Sequence, residues 1–370
     1  MTTSSKLKNW LVCGLSVLLL GGLTLTAWFH PATDYSNSER RELKKAPTFT
    51  WESFTAGKFA TSFEDYTLDQ FPLRDNFRTL KARVNYDILR QLDNNNIYVS
   101  NGYAAKMEYP LDVDSLKHAA ERFTNIYNKF LAGTDAKVYL SVVPDKSYFL
   151  AQKNGYLSLD YDKLFATMKE NMPFADYIDI TGTLDISDYY KTDTHWRQEK
   201  LEETARALAA GMGITLNGKY DVNTLPYPFY GVYYGQSALP LPAETMYYLT
   251  NDAMKQYIVT SYDTGKGVSM NLYDMEKAAG KDPYEMFLSG SVALLTIENP
   301  NATTDRELVI FRDSFGSSIS PLLAEGYAKI TVVDIRYLTP DVLGYFISFD
   351  NQDVLFLYST LVLNESSQIK

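Results

Sequence analysis

Three polar side chains in this sequence have the chemistry of a nucleophile, a base and a carboxylate that orients the base. Ser314 follows an apolar run at 308–311, and its position between a strand and a helix would expose its hydroxyl. Asp193 and His195 are two residues apart, so a tight turn can bring the carboxylate to one imidazole nitrogen and leave the other free. A serine hydroxyl next to such a base can attack an ester carbonyl. The sequence therefore predicts a site formed by Ser314, His195 and Asp193.

Each of the two motifs also has a structural interpretation. A serine at this kind of turn can be a helix N-cap, and an aspartate beside a histidine can cap the helix that follows. The functional interpretation depends on the two motifs occurring in one chain, because together they supply a nucleophile, a base and an orienting group. The backbone N–H of Ser314, at a helix N-terminus, would favour an oxyanion. Four further side chains are candidates for contacts with substrate or oxyanion, and these are Lys146, Arg312, Tyr337 and Trp196.

The composition argues against other kinds of site. The chain has 35 Lys and Arg against 45 Asp and Glu, and a net charge of -10 disfavours binding to nucleic acid. Three histidines and one cysteine are too few for a zinc site of His and Cys ligands, and one cysteine cannot form a disulfide within the chain. We therefore expect no metal and no cofactor. The 29 tyrosines could stack on sugar rings or simply pack in the core.

The N-terminal region predicts a membrane anchor. Trp10 to Phe29 is a stretch without charge, and about 20 residues of helix rise ~30 Å, enough to cross the hydrocarbon core. Lys6 and Lys8 precede it and place its start in the cytoplasm. A cleaved signal peptide is the alternative, although its apolar region is usually shorter, about 7–15 residues. With either, we expect the remaining chain outside the cytoplasmic membrane.

We divide the chain into an anchor at 1–30, a polar linker at 31–46 and an extracytoplasmic domain at 47–370. In this domain, predicted strands alternate with predicted helices, which indicates a parallel sheet with helices on both faces. Residues 220–290 break the pattern and are read as an insertion or a cap. Active sites in such sheets gather at the carboxyl ends of the strands, where Ser314 lies. The main predicted strands are 137–143, 178–180, 308–311, 330–333 and 354–357, and the helices are 116–131, 197–212, 317–324 and 340–349.

The stretch from Tyr189 to Trp196 resembles the signature of the DHHW-motif proteins, which are similar to the alginate O-acetyltransferases of the SGNH hydrolase superfamily. The resemblance implies an SGNH hydrolase-like fold with Ser314 as nucleophile, His195 as base and Asp193 as orienter. Thr194 stands where the family often has a second histidine, and the Gly-x-Asn block of ordinary SGNH esterases is absent. Other similar stretches are 64–75, 143–146, 307–315 and 330–337.

The resemblance also implies a function. The expected protein is an O-acetyltransferase, or an acetylesterase, that acts on a cell-envelope or secreted polysaccharide. Its partners would be the polysaccharide, the membrane through the N-terminal helix, and a membrane protein that donates the acyl group. The three site residues alone do not choose between transfer to a sugar and hydrolysis. The alternatives are a non-catalytic polysaccharide-binding or assembly component on the same fold, and a membrane structural protein that needs only the anchor.

Overall fold

A computed structural model describes residues 3–370 of the chain, with side chains from Ser5 onward. The chain forms two compact units. The first runs up to Gln91 and includes Ala238–Pro240, and the second contains Leu92–Ser237 and Leu241–Lys370.

The first unit consists mainly of helices. Its longest helix is apolar over Ser5–Phe29 and long enough to cross a membrane. A π-helical turn at Val84–Ile88 ends the unit's last helix. The regular elements are α1 (Thr3–Phe29), β1 (Tyr35–Ser36), β2 (Arg41–Glu42), α2 (Trp51–Thr55), α3 (Lys58–Asp69) and α4 (Arg74–Arg83).

The polar stretch at 31–46 is tied to α3 by charged groups. Asp69 accepts hydrogen bonds from two guanidinium nitrogens of Arg41 at 2.6 and 2.8 Å and from the N–H of Lys44 at 2.9 Å. The hydrogen bonds from Arg41 are the largest cause that lowers the pKa of Asp69 to about 2. This stretch therefore has a defined conformation against the helix that follows it.

The second unit contains the sheet that positions the candidate site. Its strands are β3 (Ile97–Ser100), β4 (Tyr103–Lys106), β5 (Lys137–Val143), β6 (Asp176–Tyr177), β7 (Asp221–Phe229), β8 (Glu244–Thr250), β9 (Ile258–Ser261), β10 (Val268–Met270), β11 (Leu294–Glu298), β12 (Glu307–Arg312), β13 (Lys329–Val333) and β14 (Asp353–Ser359). Its α-helices are α5 (Val113–Ile126), α6 (Lys146–Leu150), α7 (Tyr161–Asn171), α8 (Glu202–Gly211), α9 (Val232–Ser237), α10 (Met275–Ala278), α11 (Gly316–Leu323) and α12 (Thr360–Asn364).

Eight strands form the central sheet, in the order β10-β9-β11-β13-β12-β14-β5-β6. The five strands from β13 to β6 in this order are parallel, and β11, β9 and β10 are antiparallel. The predicted α/β architecture is therefore confirmed, with a sheet that is mostly parallel. The three antiparallel strands were not predicted, and two of them, β9 and β10, lie within the segment read as an insertion or cap.

Alternate residues of the parallel strands pack on opposite faces of the sheet, as the two-residue period of a strand requires. Leu308 and Ile310 join the apolar cluster that includes residues of α8 and α11, while Val309 and Phe311 join the cluster that includes residues of α5 and α7. Because both faces are covered, the parallel strands are almost continuously apolar. This explains why they were recognised in the sequence.

Two elements differ from their predicted positions. The strand predicted at 178–180 lies at Asp176–Tyr177, and the chain then turns at Asp179, whose carboxylate accepts the N–H and the hydroxyl of Thr181 at 2.9 and 2.7 Å. The apolar side chains of Ile178 and Ile180 pack into the core rather than along a strand.

The helix predicted at 197–212 starts with a 3₁₀ turn, and α8 begins only at Glu202. The reason lies in Gln198, whose buried side chain bonds to the carbonyl of Ser318 and the N–H of Leu249. The helix predicted at 340–349 is a 3₁₀ segment that spans Pro340–Tyr345.

Candidate active site

Ser314 lies in the turn between β12 and α11. This turn is at the carboxyl end of a central parallel strand, where α/β folds place their ligands and chemistry. The carboxylate of Asp313 accepts the N–H of Phe315 at 3.0 Å and the N–H of Ser359, at the end of β14, at 2.7 Å. The first bond closes the turn and the second ties it to the neighbouring strand, and Ser314 is half-buried.

The backbone amides around Ser314 are used unequally. The N–H of Phe315 donates to the side chain of Asp313, and the N–H of Gly316 donates to the backbone carbonyl of Asp313 at 3.1 Å. Within residues 3–370, the N–H of Ser314 has no acceptor. It lies just before the N-terminus of α11, where the partial positive charge of a helix favours an anion. This amide can therefore serve as one donor to an oxyanion.

His195 lies between Ser314 and Asp193. Its Nε2 is 2.8 Å from Ser314 Oγ, and its Nδ1 is 2.6 Å from Asp193 Oδ1. The carboxylate can only accept, so the imidazole proton is assigned to Nδ1, and Nε2 then accepts the hydroxyl of Ser314. The Asp193 side chain is 1% exposed and that of His195 is 12% exposed, so the site is shielded but open to solvent at the histidine.

The loop that carries Asp193 and His195 is held by a separate segment of the chain. Glu244 accepts the N–H groups of Lys191 and Thr192 and the hydroxyl of Thr192, each at 2.7 Å. The N–H of Val232 donates to Asp193 Oδ2 at 2.8 Å. Both oxygens of the Asp193 carboxylate are therefore engaged, and its orientation towards His195 is fixed.

Gly231 allows this segment to approach the loop. A Cβ atom at this position would lie 2.3 Å from the backbone N and Cα of Asp193, a distance that real Cβ contacts do not reach. The N–H of Gly231 donates to the hydroxyl of Thr192 at 2.9 Å. A glycine is therefore required for the backbone contact that places the N–H of Val232 on Asp193.

Aromatic rings fix the plane of the imidazole. Tyr284 stacks on His195 with ring centroids 3.7 Å apart and planes at 5°. Its hydroxyl is 2.8 Å from Ser318 Oγ, and burial raises its pKa, so the ring stays neutral. Phe315 approaches the same imidazole with a centroid distance of 5.1 Å. These contacts limit rotation of His195 away from Ser314.

The structure brings Ser314, His195 and Asp193 together in one series of hydrogen bonds, and the four further candidates are not part of this series. Trp196 is fully buried, and its Nε1 donates to the carbonyl of Phe315 and the hydroxyl of Ser318 at 3.1 and 2.9 Å. It therefore supports the turn rather than facing a substrate. Tyr337 is 51% exposed, and its ring centroid lies 5.6 Å from the guanidinium carbon of Arg336.

Lys146 is also buried. Its Nζ donates to the carbonyls of Tyr190 and Lys191 at 2.9 and 3.3 Å and lies 4.9 Å from the ring centroid of Tyr233. Burial lowers its pKa to about 7, against the opposing effect of nearby carboxylates, the first of which is Asp193. Lys146 thus holds the loop at 189–196 through its backbone carbonyls and does not line the site as a solvated cation.

Arg312 is 1% exposed and bonds within the protein. Its Nη2 donates to the carbonyls of Gly290 and Val292 at 3.2 and 3.3 Å, and its Nη1 lies 3.4 Å from Asp334 Oδ2. Burial lowers its pKa. It anchors the end of β12 to the segment before β11. Its guanidinium is therefore turned into the protein and not towards a substrate. In the described part of the chain, no group of three or more His, Cys, Asp or Glu side chains could hold a metal ion.

Sequence reasoning missed Glu244, Gly231 and Tyr284. Their contacts with the site span 39 residues or more, and no local motif surrounds them. The only signal is compositional, since all three lie in the Tyr/Gly/Pro-rich segment at 220–290.

The fold and the site together define a class: a mostly parallel α/β protein with a serine, a histidine and an aspartate in hydrogen-bonded series at the end of a central strand. No protein-family model matches the chain, and no curated protein matches its sequence significantly. Solved structures do match. The chain is similar to a DHHW family protein from Eubacterium siraeum with a TM-score of 0.61 and 21% identity, over 75% of this chain and 95% of that one.

It is also similar to Bacillus cereus PatB1, in a structure that carries a sulfonyl adduct. The TM-score is 0.58 and the identity 17%, over 72% of this chain and 95% of that one. A second structure of PatB1 matches with a TM-score of 0.55 and 18% identity, over 72% of this chain and 96% of that one. At these identities the likeness concerns the fold. The resemblance to DHHW-motif proteins predicted from the sequence is thus confirmed at the level of the fold.

Proposed function

We propose that this chain is a membrane-anchored, extracytoplasmic acyl-ester enzyme in which Ser314 is the nucleophile, His195 the base and Asp193 the group that orients it. The observation that carries the proposal is the unbroken series of hydrogen bonds from Asp193 through His195 to Ser314. A serine that is only a structural cap needs no base, and a structural histidine needs no serine at its second nitrogen.

The reaction follows from these contacts. Nε2 of His195 takes the hydroxyl proton as Ser314 Oγ bonds to the acyl carbonyl carbon, and the N–H of Ser314 donates to the oxyanion. The intermediate collapses, the bond to the donor oxygen breaks, and the imidazolium returns the proton to that oxygen. A hydroxyl acceptor then gives its proton to His195 as its oxygen bonds to the acyl carbon, the acyl–Oγ bond breaks, and the imidazolium returns the proton to Ser314 Oγ. Water as acceptor makes the protein an esterase, and a sugar hydroxyl makes it an O-acetyltransferase.

The similarity to PatB1 supports a nucleophile in this fold. A sulfonyl group forms an adduct by reaction with an activated nucleophile, and PatB1 has been seen with such an adduct. For the substrate, we propose an acetylated or acetyl-accepting polysaccharide of the envelope or a secreted polymer, with a membrane protein as acyl donor. This part rests on the resemblance to DHHW-motif and alginate-type acetyltransferases described above.

The catalytic proposal is tested with p-nitrophenyl acetate and the full chain in detergent. We expect acetate release, and we expect Ser314→Ala and His195→Ala each to lower kcat by about 10⁴–10⁶-fold. Asp193→Asn should lower it by about 10⁴-fold, since the amide favours the wrong tautomer. His118→Ala is the matched control, because His118 lies on α5, contacts Arg122 and Ser366 there, away from Ser314, and should be dispensable. Equal turnover by wild type and Ser314→Ala would refute catalysis and favour a polysaccharide-binding component.

Transfer and hydrolysis are separated by adding a polysaccharide acceptor to the same assay. Acetyl groups should move from the chromogenic donor to the polymer at the expense of free acetate. If the acceptor leaves acetate release unchanged and gains no ester, the enzyme is an esterase.

We propose further that α1 remains as an anchor with its lysine-bearing end in the cytoplasm. The support is a helix over Ser5–Phe29 that is long and apolar enough to span the bilayer, with Lys6 and Lys8 at its start. The full chain should stay with the membrane fraction, and protease added outside the cell should digest the catalytic unit. Soluble protein that begins near residue 28 would show a cleaved signal peptide instead.

A further inference from the structure

The first unit carries a row of aromatic side chains that the proposed chemistry does not use. The rings follow one another at centroid distances between 5.2 and 6.3 Å and form what we call the aromatic row. Its members are Phe49, Trp51, Phe54, Phe59, Phe63 and Tyr66.

The aromatic row faces outward rather than into a core. Trp51 is 71% exposed, and Phe49, Phe54 and Phe63 are between 47% and 55% exposed. Helix α2 has no buried residue, and the one buried residue of α3 is the charged Asp69. A large contiguous apolar surface of this kind, rimmed by polar residues, marks a place that something else covers.

The row lies next to the end of the membrane helix. Phe63 and Tyr66 line a cavity of about 420 Å³ together with Leu23, Ala27 and Trp28 of α1. Trp28 and Phe29, where α1 ends, are each 81% exposed. The apolar surface is therefore continuous from the membrane helix into α3.

The position and the residue types fit one occupant. Tryptophan, tyrosine and phenylalanine are favoured at the boundary between headgroups and acyl chains, because a flat apolar ring with a polar edge suits both sides. An amphipathic helix with aromatic residues on one face lies in that boundary. On α3 the face opposite Phe63 carries Thr61, which is exposed and polar.

We propose that the aromatic row is inserted in the outer leaflet of the membrane that α1 crosses, so that α2 and α3 lie along the lipid surface as a second attachment. The proposal rests on the proposed anchoring by α1. The charged residues beside the row are of both signs, Lys58 and Glu52 among them, so attachment should depend on apolar contact and change little with salt.

The test uses the full chain in phosphatidylcholine vesicles with one fluorescent label that senses polarity. The sole cysteine, Cys13, lies within α1, so a label on the native chain reports insertion of the anchor. In a Cys13→Ser background, Phe63→Cys places the label in the aromatic row, and Thr61→Cys places it on the opposite face of the same helix as the matched control.

We expect a lipid that carries a spin label near its headgroup to quench the labels at 13 and 63, and aqueous iodide to quench the label at 61. If position 13 is quenched by the lipid while position 63 is as open to iodide as position 61, the anchor stands and the lipid contact of the row is wrong. If position 13 is not quenched, the anchor and this inference both fail. If the label at 63 is protected from iodide only until the protein is diluted into excess lipid, the aromatic row contacts a second copy of this chain. That result would also overturn the inference.

Discussion

The turn that carries Ser314 and the loop that carries His195 differ in what holds them in place. Ser314 stands at the junction of β12 and α11, where the hydrogen bonds of a central strand and a helix fix the backbone, and Asp313 adds two more. The loop at 189–196 has little regular structure of its own. It is held by Glu244, by the Nζ of Lys146 and by backbone amides that follow Phe229.

This difference teaches that one half of the site is set by the sheet and the other half by a second segment that folds against it. A substitution in the bracing segment should displace the base and spare the nucleophile's turn. A substitution in the turn should displace Ser314 little, because the sheet holds the backbone on both sides. Substitutions in the bracing segment should therefore lower kcat more than substitutions in the turn.

Gly231→Ala should have the largest effect among the bracing residues. The new Cβ would overlap the backbone of Asp193, and backbone cannot move aside as a flexible side chain can. A displacement of about 1 Å at catalytic groups costs about 10²-fold, so kcat for p-nitrophenyl acetate should fall by at least ~100-fold. Gly182→Ala is the control, since a Cβ there meets nothing within 4 Å. Wild-type turnover by Gly231→Ala would show that the close approach does not matter.

Glu244→Gln should have the next largest effect. In wild type, the carboxylate of Glu244 accepts three hydrogen bonds. The glutamine amide keeps one acceptor oxygen, but its NH₂ group faces some of the same donors. Hydrogen bonds to a charged group contribute about 1.5–3 kcal/mol each, so a loss of about 10–100-fold in kcat is expected, with a lowered Tm. Glu202→Gln, which removes an exposed ion pair with Arg206, should leave both unchanged. Equal kinetics in the two variants would contradict the bracing role.

Asp313→Asn tests the nucleophile's turn. One of the two amides that donate to Asp313 would lose its acceptor, which costs about 1–3 kcal/mol for a buried donor. Because β12 and α11 still frame Ser314, we expect kcat to fall by less than ~10-fold while Tm drops by several degrees. Steady-state kinetics and thermal unfolding by circular dichroism would measure both. A loss of activity as large as that of Gly231→Ala would remove the contrast between the two regions.

Lys146→Met comes last because its expected signature is the pH dependence of stability rather than a change in kcat. Burial lowers the folded-state pKa of Lys146 to about 7, with Asp193, Glu244 and Asp145 opposing the shift, whereas the unfolded chain keeps a value of about 10.4. Between these values the unfolded state binds more protons, so stability rises with pH, and below about pH 7 the cost of the buried charge is present in full.

The Tm of wild type should therefore rise relative to that of Lys146→Met from about pH 7 to about pH 10. Thermal unfolding of both proteins across this range measures the difference. Lys329→Met, at a half-exposed ion pair with Glu307, should show no such trend against wild type. Parallel curves for wild type and Lys146→Met would mean that Lys146 keeps its ordinary pKa.

The sequence predicted those parts of the site that local patterns encode. The continuous apolar run of β12 followed by a serine, and the two-residue spacing of Asp193 and His195, both follow from nearby residues. The strands β9 and β10 were missed because they are three to four residues long and partly polar. Glu244 and Gly231 were missed because their role is a contact with a loop 39 or more residues away.

The candidates for substrate contact show a further limit. Lys146, Arg312 and Trp196 were chosen because of residue type and position at strand ends or beside the histidine. Their side chains turn inward and donate to backbone carbonyls of the protein. Residue type states what a side chain can bond to, but the direction in which it points depends on packing that only the folded chain defines.

The bond between Asp313 and Ser359 has a consequence for how the protein is made. Ser359 follows Asp313 by 46 residues, and β14, which ends there, lies between β12 and β5 in the sheet. A ribosome that has already synthesised Asp193, His195 and Ser314 has not yet supplied the strand that completes the serine's turn. The order of synthesis therefore delays assembly of the site until β14 has been made. Nascent chains that end between residues 314 and 353 hold all three reactive side chains and still lack the strand that completes the turn of Ser314.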